Sequence, residues 1–332
     1  MRTRRILIPL SLAALPALAL AGCSSAADGD APADDSAFRI VTSTTVYADI
    51  AQQIVGDAAS VEAVIDSASV DPHDYEATAR DGLTVKDADL AIMNGGGYDH
   101  FMEDLLGSAD VAHVVNVVEY SDAYPGEEGA DHEHEHEHEG EEGHEHEEAE
   151  GEDGHDHIHG FNEHVWYDPH TIEHFTEALR DELVELIPDS KEQIEEGAQS
   201  VLDQVAEIEA KLDAIAADHA GDTAFFTEPV GAYFAEAAGL TDVTTEGFAE
   251  AVEHGEDVAP ATLNSAIKSI EGGDVTVLVA NAQTGGSETE RVIQAAESAD
   301  VPVIEFTETI PDGSDFFAWM NDNADALADA LS

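Results

Sequence analysis

The sequence SKEQIEEGAQSVLDQVAEIEAKLDAIAADH, residues 190–219, carries a long α-helical pattern. Ser190 can cap such a helix, and Gln193 stands where it would complete a capping box. A helix of this length extends for about 45 Å, enough to run along a protein of two lobes. Its apolar residues recur at steps of three and four, which marks one buried face: Ile194, Val201, Leu202, Val205, Ile208, Leu212 and Ile215.

Strand and helix patterns alternate on both sides of this helix. After it come the predicted strands TAFFTE, VTVLVANA and VPVIEFTE, and a similar alternation starts before it at Phe38. Such alternation is typical of parallel sheets covered by helices. We therefore predict an α/β fold of two lobes with mainly parallel sheets and separate cores, joined by one long linking helix, with a ligand cleft between the lobes. The predicted boundaries are 38–188 for the N-terminal lobe, 189–220 for the linking helix and 221–332 for the C-terminal lobe.

The N-terminus carries an export pattern. Basic residues at the start are followed by an apolar run over residues 6–21, which is too short for a membrane span and is typical of a signal peptide. The run ends in Leu20-Ala21-Gly22-Cys23, which resembles a bacterial lipobox. We predict a signal peptide over residues 1–22, then a lipidated Cys23 and a flexible tether over residues 23–37, with the protein anchored at the outer face of the cell membrane. The alternative is an ordinary signal peptide with a chance cysteine.

The charge is strongly one-sided, with 74 acidic residues against 11 Lys and Arg. Such a surface repels nucleic acid and anionic lipid, so neither is expected as a partner, whereas cations are attracted. Adaptation of the surface to salt or for solubility would explain most of this charge. The single cysteine excludes an internal disulfide, so the fold must be stabilised by its core.

Residues 125–160 form an insert of low complexity. It contains nine histidines and sixteen acidic residues and has no Lys or Arg. Because it cannot bury apolar area, we expect it to be disordered without metal and to hold metal only weakly, as an auxiliary site. Its histidines are His132, His134, His136, His138, His144, His146, His155, His157 and His159.

Outside the insert, a few histidines and acids stand where they could bind a metal ion. His73 lies in a proline-stiffened loop, and His164 lies beside two aromatic residues. Glu228 and Glu308 end predicted strands, where a cleft between α/β lobes should be. Each of these residues also has an explanation without a metal. The histidines could be loop residues hydrogen-bonded to a neighbour, and the glutamates could be ordinary members of a strongly acidic chain. His170 and His174, four residues apart on the next helix, could also grip a metal or simply face solvent.

Several segments together carry a resemblance to a known family. They are the lipobox, Asp71-Pro72-His73-Asp74-Tyr75-Glu76, the strand from Ala88 to Gly95, the acidic His insert, His164-Val165-Trp166-Tyr167-Asp168-Pro169, the linking helix and Gly231-Ala232-Tyr233-Phe234-Ala235. Together they resemble the zinc/manganese group of metal-ion solute-binding proteins of bacterial ABC importers. The resemblance implies that His73, His164, Glu228 and Glu308 bind the metal between the lobes, that the partner is an importer permease, and that the protein is a monomer. The fourth position is usually Asp in that group, and the segment from Val279 to Gln283 lacks an acid often found there.

The ligand set and the insert favour different metals. Two imidazoles with two carboxylates suit manganese and iron(II), although zinc accepts them too. Imidazole-rich tracts like the insert collect zinc, so we predict one tightly bound Zn²⁺ in the cleft, with Mn²⁺ as the alternative.

Two other functions compete with metal delivery. His132-Glu133-His134-Glu135-His136 matches the HExxH pattern of zinc hydrolases, but that pattern works only on a rigid helix. A catalytic zinc also needs an open coordination position, so we predict that the protein is not an enzyme. A surface metal buffer or adhesin is the second competing function.

Overall fold

The computed structural model describes residues 38–126, 158 and 160–332. The predicted signal peptide, Cys23 with its tether, and all nine histidines of the insert lie outside the described residues. Within the described ranges, the helices are too short or too polar to cross a membrane.

The N-terminal lobe is a parallel sheet of four strands in the order β2-β1-β3-β4. The two central strands are mostly buried, as expected for a parallel sheet covered by helices, whereas the two edge strands are partly exposed. The elements are β1 (Phe38–Thr44), α1 (Thr45–Val55), β2 (Ala59–Ile65), α2 (Ala79–Lys86), β3 (Leu90–Met93), α3 (His100–Ser108), β4 (His113–Asn116) and α4 (Pro169–Leu186).

The C-terminal lobe repeats this plan, with a second parallel sheet in the order β6-β5-β7-β8. The predicted fold class, two α/β lobes with parallel sheets, is therefore confirmed. The elements are β5 (Thr223–Phe226), α6 (Ala232–Ala237), β6 (Thr241–Asp242), α7 (Phe248–Glu253), α8 (Pro260–Gly272), β7 (Val277–Asn281), α9 (Ser287–Ser298), β8 (Val303–Phe306) and α10 (Phe316–Ala330).

The long helix α5 (Lys191–His219) runs between the lobes. Its apolar face is buried as the periodicity predicts, except that Leu202 is only half-buried. The prediction of separate cores is wrong, because one continuous cluster joins side chains of both lobes. For example, Ile40 of the first sheet, Phe226 of the second sheet and the buried face of α5 all belong to this cluster. Smaller clusters on each outer face complete the packing.

The start of α5 differs from the predicted capping box. Ser190 precedes the helix but its side chain makes no capping hydrogen bond, because the chain enters from a 3₁₀ turn over Pro188–Ser190. Gln193 instead donates from Nε2 to the carbonyl of Val55 at 2.8 Å and to Asp57 at 2.7 Å. The amide thus ties the start of α5 to the end of α1.

Gly197 marks the closest approach of α5 to α1. A Cβ at this position would lie 2.3 Å from the carbonyl oxygen of Ile54 and 2.7 Å from that of Gln53. We expect Gly197→Ala to destabilise the protein by about 1–3 kcal/mol, because the overpacked backbones must separate. This outweighs the gain of about 1 kcal/mol that alanine brings inside a helix. Urea unfolding measures it, with Gly107→Ala in α3 as the control, since a Cβ there meets nothing within 4 Å. Equal stability of Gly197→Ala and wild type would contradict the expectation.

Candidate metal centre

Loops at the C-terminal ends of the strands carry the candidate site. His73 follows β2, Glu228 follows β5 and Glu308 follows β8, while His164 immediately precedes a short 3₁₀ turn. Chain segments beyond the carboxyl ends of parallel strands meet at one edge of a sheet, which is where ligands bind in open α/β folds. The topology therefore brings residues that are far apart in sequence to one region.

Three of the four predicted ligands converge. His73, His164 and Glu308 each offer one ligand atom, and these atoms all lie within 4.8 Å of one another. His73 Nε2 is 3.6 Å from Glu308 Oε2, and the two imidazole rings are 5.8 Å apart between centroids. The side chains of His164 and Glu308 are 1% exposed and that of His73 is 10% exposed. Two imidazoles and a carboxylate at this spacing form a donor set suited to a divalent transition metal.

The ring of His164 is oriented by Asn162. Asn162 Oδ1 lies 2.8 Å from His164 Nδ1 and also accepts from the backbone N–H of His164 at 3.1 Å. The amide nitrogen of Asn162 donates to the carbonyl of Pro229 at 3.1 Å, so Oδ1 is the acceptor side. His164 Nδ1 is then the protonated nitrogen, which leaves Nε2 as the lone-pair nitrogen that a metal requires.

Aromatic rings pack around the two histidines. The Tyr98 ring lies 4.9 Å from that of His73, and the Trp166 ring lies 5.1 Å from that of His164. Tyr98 and Trp166 also contact each other, with centroids 4.7 Å apart. The packed wall expected from the two aromatic residues after His164 is formed by Trp166, whereas Tyr167 stacks on Phe306. This wall limits the rotation of both imidazoles.

Glu228, the fourth predicted ligand, lies outside the group of three. Its carboxylate accepts from Asn281 Nδ2 at 2.8 Å and from the hydroxyl of Thr284. The same Asn281 Nδ2 donates to Glu308 Oε1 at 2.6 Å. Asn281 therefore bridges the two carboxylates. Glu228 is thus connected to Glu308 of the group through this shared hydrogen-bond donor.

Buried carboxyl groups are crowded at this site. Burial and the charges of Asp71 and Glu228 raise the pKa of Glu308 well above its usual range. Burial, with a contribution from Asp71, also raises the pKa of Glu228. Each group keeps its proton more readily because its charged form is desolvated and faces like charges. A divalent cation would remove both costs.

Sequence reasoning missed two acids that belong to this region. Glu163 and Glu253, together with His73, form a second group whose ligand atoms lie within 4.8 Å of one another. Burial, followed by Glu163, Glu228 and Glu308, raises the pKa of the Glu253 carboxyl. Adjacency to His164 could have pointed to Glu163, but Glu253 ends the short helix α7 and its local sequence carries no signal.

The alternative pair, His170 and His174, belongs to a different place. Their rings are 4.2 Å apart, but His170 is 51% exposed and faces Glu173 at 3.5 Å, while His174 Nδ1 lies 3.3 Å from the carbonyl of Tyr120. The metal-capable group that contains His170 includes Glu173 and Glu209 and neither His73 nor His164. It is a surface cluster.

Hydrogen bonds fasten the two lobes together around the site. Tyr167 donates to the carbonyl of Thr307 at 2.7 Å, and Tyr233 donates to the carbonyl of Asn162 at 2.8 Å. Gln283 Nε2 donates to the carbonyl of Ala68 at 2.8 Å, and the hydroxyl of Thr309 donates to the same carbonyl at 3.2 Å. Together with the shared core, these bonds oppose a wide hinge opening between the lobes.

Solved structures of low sequence identity share this fold. The crystal structure of a ZnuA superimposes with a TM-score of 0.67 at 18% identity, covering 89% of this chain and all of that one. The periplasmic zinc-binding protein TroA from Treponema pallidum gives a TM-score of 0.69 at 19% identity, covering 89% of this chain and 99% of that one. The chain thus shares the two-lobed fold of these two proteins.

Residues 40–330 match the family described as ZnuA, zinc-uptake complex component A, periplasmic, and the chain belongs to this family. The manganese-binding lipoprotein MntA of Halalkalibacterium halodurans is 28% identical over 68% of this chain and 66% of its own length. The zinc-binding lipoprotein AdcA of Streptococcus pneumoniae is 30% identical over 74% of this chain and 45% of its own. The chain thus spans less than two thirds of either relative. The zinc-uptake protein ZnuA of Bacillus subtilis is 30% identical over 69% of this chain and 68% of its own.

Proposed function

We propose that this protein captures a divalent transition metal outside the cell membrane and delivers it to the permease of an ABC importer. The observation that carries the proposal is the convergence of His73, His164 and Glu308 from both lobes into one buried group. Two imidazoles and a carboxylate, buried together, have no use in packing that apolar residues would not serve better. Membership of the zinc-uptake family supports the same function.

The proposed ligands are His73, His164, Glu308 and Glu228. The first three are already within reach of one ion. Glu228 joins them when a carboxylate oxygen turns from Thr284 towards the ion, a change of one hydrogen bond. Asn281 then serves as the hydrogen-bond donor that positions both carboxylates. Such partners of metal ligands fix ligand orientation and increase affinity.

The proposed metal is Zn²⁺, one ion bound tightly in the cleft, with Mn²⁺ as the alternative. The matched relatives include proteins named for each metal. Zinc forms tetrahedral complexes with imidazole and carboxylate ligands and binds more tightly than manganese to most such sets. The histidines of the insert would add weak auxiliary sites for zinc.

Anchoring and assembly are part of the proposal. A lipid at Cys23 would keep the cleft at the outer face of the membrane, within reach of the permease, and the protein would act as a monomer. The relatives are named as binding and uptake proteins. Four protein ligands leave no open position on a tetrahedral zinc, so we infer that the protein catalyses no reaction.

A deletion separates cleft binding from binding by the insert. Removing residues 127–157 takes away eight of the nine insert histidines and retains every described residue. We expect one-to-one zinc binding to keep its affinity within about threefold, measured by competition with a chelating dye. Adding His73→Ala to the deletion should then weaken binding by at least about 100-fold, because a ligand is lost. Loss of tight binding with the insert alone would overturn the proposal and would favour a metal buffer.

A further inference from the structure

A second metal-capable group overlaps the proposed site. The ligand atoms of His73, Glu163 and Glu253 all lie within 4.8 Å of one another. This group shares only His73 with the group of His73, His164 and Glu308. One imidazole therefore belongs to two donor sets, one richer in nitrogen and one richer in carboxylate.

Glu253 is placed for a cation in this second group. Its side chain is 7% exposed, and its Oε1 lies 3.7 Å from His164 Nδ1. Among the described residues, Glu253 Oε1 is buried and accepts no hydrogen bond. A buried carboxylate oxygen without a donor costs free energy unless a cation or another donor meets it. A short helix, α7, holds this oxygen against the site.

The second group reaches a cavity through Glu253. This cavity of about 600 Å³ is lined by Glu253 and by the shared His73, whereas Glu163, His164 and Glu308 are not part of its wall. Its wall carries several more acids, which attract cations and retard anions. These are Asp71, Asp74, Glu256, Asp257 and Glu288.

We propose that His73, Glu163 and Glu253 form a transfer position that a divalent metal ion occupies on its way between the cavity and the inner ligands. This inference rests on the proposed function. The ion exchanges some of its waters for the carboxylates of Glu253 and Glu163, while His73 binds it. It then exchanges these carboxylates for His164 and Glu308, with His73 common to both donor sets. Stepwise exchange avoids a state in which the ion has lost its waters before gaining ligands, so it speeds both entry and release.

Stopped-flow kinetics with zinc and a chelating dye test the transfer position. In Glu253→Gln, we expect the association and dissociation rate constants to fall about tenfold each, while the dissociation constant stays within about threefold. Glu253→Asp keeps the charge but draws the oxygens back by one methylene, and we expect the same slowing. Glu246→Gln, which removes an exposed charge from the same region, should match wild type.

The outcomes separate this inference from the proposed function. Unchanged rate constants in both Glu253 variants would overturn the transfer position. Normal rate constants in Glu253→Asp alone would also overturn it, because they would show that only the charge of the side chain mattered. A slower association with an equal rise in the dissociation constant would also overturn it. The dissociation rate constant would then be unchanged, whereas a transfer position must affect both entry and release. Failure of the wild-type protein to bind zinc one-to-one would overturn the proposed function itself.

Discussion

Replacing His164 by alanine is expected to weaken zinc binding by at least about 100-fold, because loss of a ligand's hydrogen-bonding partner alone already costs 10- to 100-fold. His164 is buried, its ring is packed against Trp166, and Asn162 fixes which nitrogen carries the proton. Neither solvent nor a neighbouring side chain can replace an imidazole that is buried, packed and oriented in this way. Competition titration with a zinc-selective chelator measures the change.

Two further variants show whether the lower zinc affinity of His164→Ala comes from the loss of a metal ligand. Asn162→Ala keeps the imidazole but removes its acceptor, and we expect an intermediate loss of about 10- to 100-fold. His170→Ala removes a half-exposed imidazole from the neighbouring surface cluster and should leave tight binding unchanged. Equal affinities for His164→Ala and His170→Ala would show that the buried group is not the binding site.

The residues of the site differ in how far the sequence could predict them. Local sequence predicts two α/β lobes and a long helix, because short apolar runs mark buried strands such as Val277–Asn281, which is buried at every position. Strand ends point to Glu228 and Glu308, and resemblance points to His73 and His164. Which carboxylate lies next to the histidines depends on side-chain hydrogen bonds, and Asn281 and Thr284 turn Glu228 aside.

Other features depend wholly on tertiary contacts. Glu253 sits on a six-residue helix, and only packing of that helix on the cleft brings its oxygen near His164. The merged core likewise follows from the docking of both lobes on one helix, which no local pattern encodes. The capping box failed for a similar reason, because Gln193 reaches the end of α1 across 138 positions of sequence. The periodicity of a sequence shows which face of a helix or strand is buried, but it does not show which element packs against that face.

The stability of the protein is expected to respond to pH in opposite directions with and without metal. Without metal, Glu228, Glu253 and Glu308 have raised pKa values, chiefly through burial, so the folded state binds more protons than the unfolded state above pH of about 4.5. The free energy of unfolding then falls as pH rises, by about 1.4 kcal/mol per pH unit for each extra proton held. With saturating zinc the ligands must be deprotonated, so the stabilisation by metal grows as pH rises and disappears on acidification.

Glu308→Gln tests this balance, because it removes a buried charge that a bound cation would stabilise. Without metal at pH 8, we expect the variant to be more stable than wild type by about 1–3 kcal/mol, since the desolvated carboxylate is gone. It should lose most of the stabilisation that zinc gives to wild type. Glu305→Gln changes an exposed residue of β8 by the same charge, and so corrects for the repulsion of the acidic surface. Urea unfolding at pH 5.5 and pH 8, with zinc or with a chelator, gives all the values. If Glu308→Gln and Glu305→Gln were to respond alike, Glu308 would be an ordinary acid, because a carboxylate buried for a metal must destabilise the protein whenever the metal is absent.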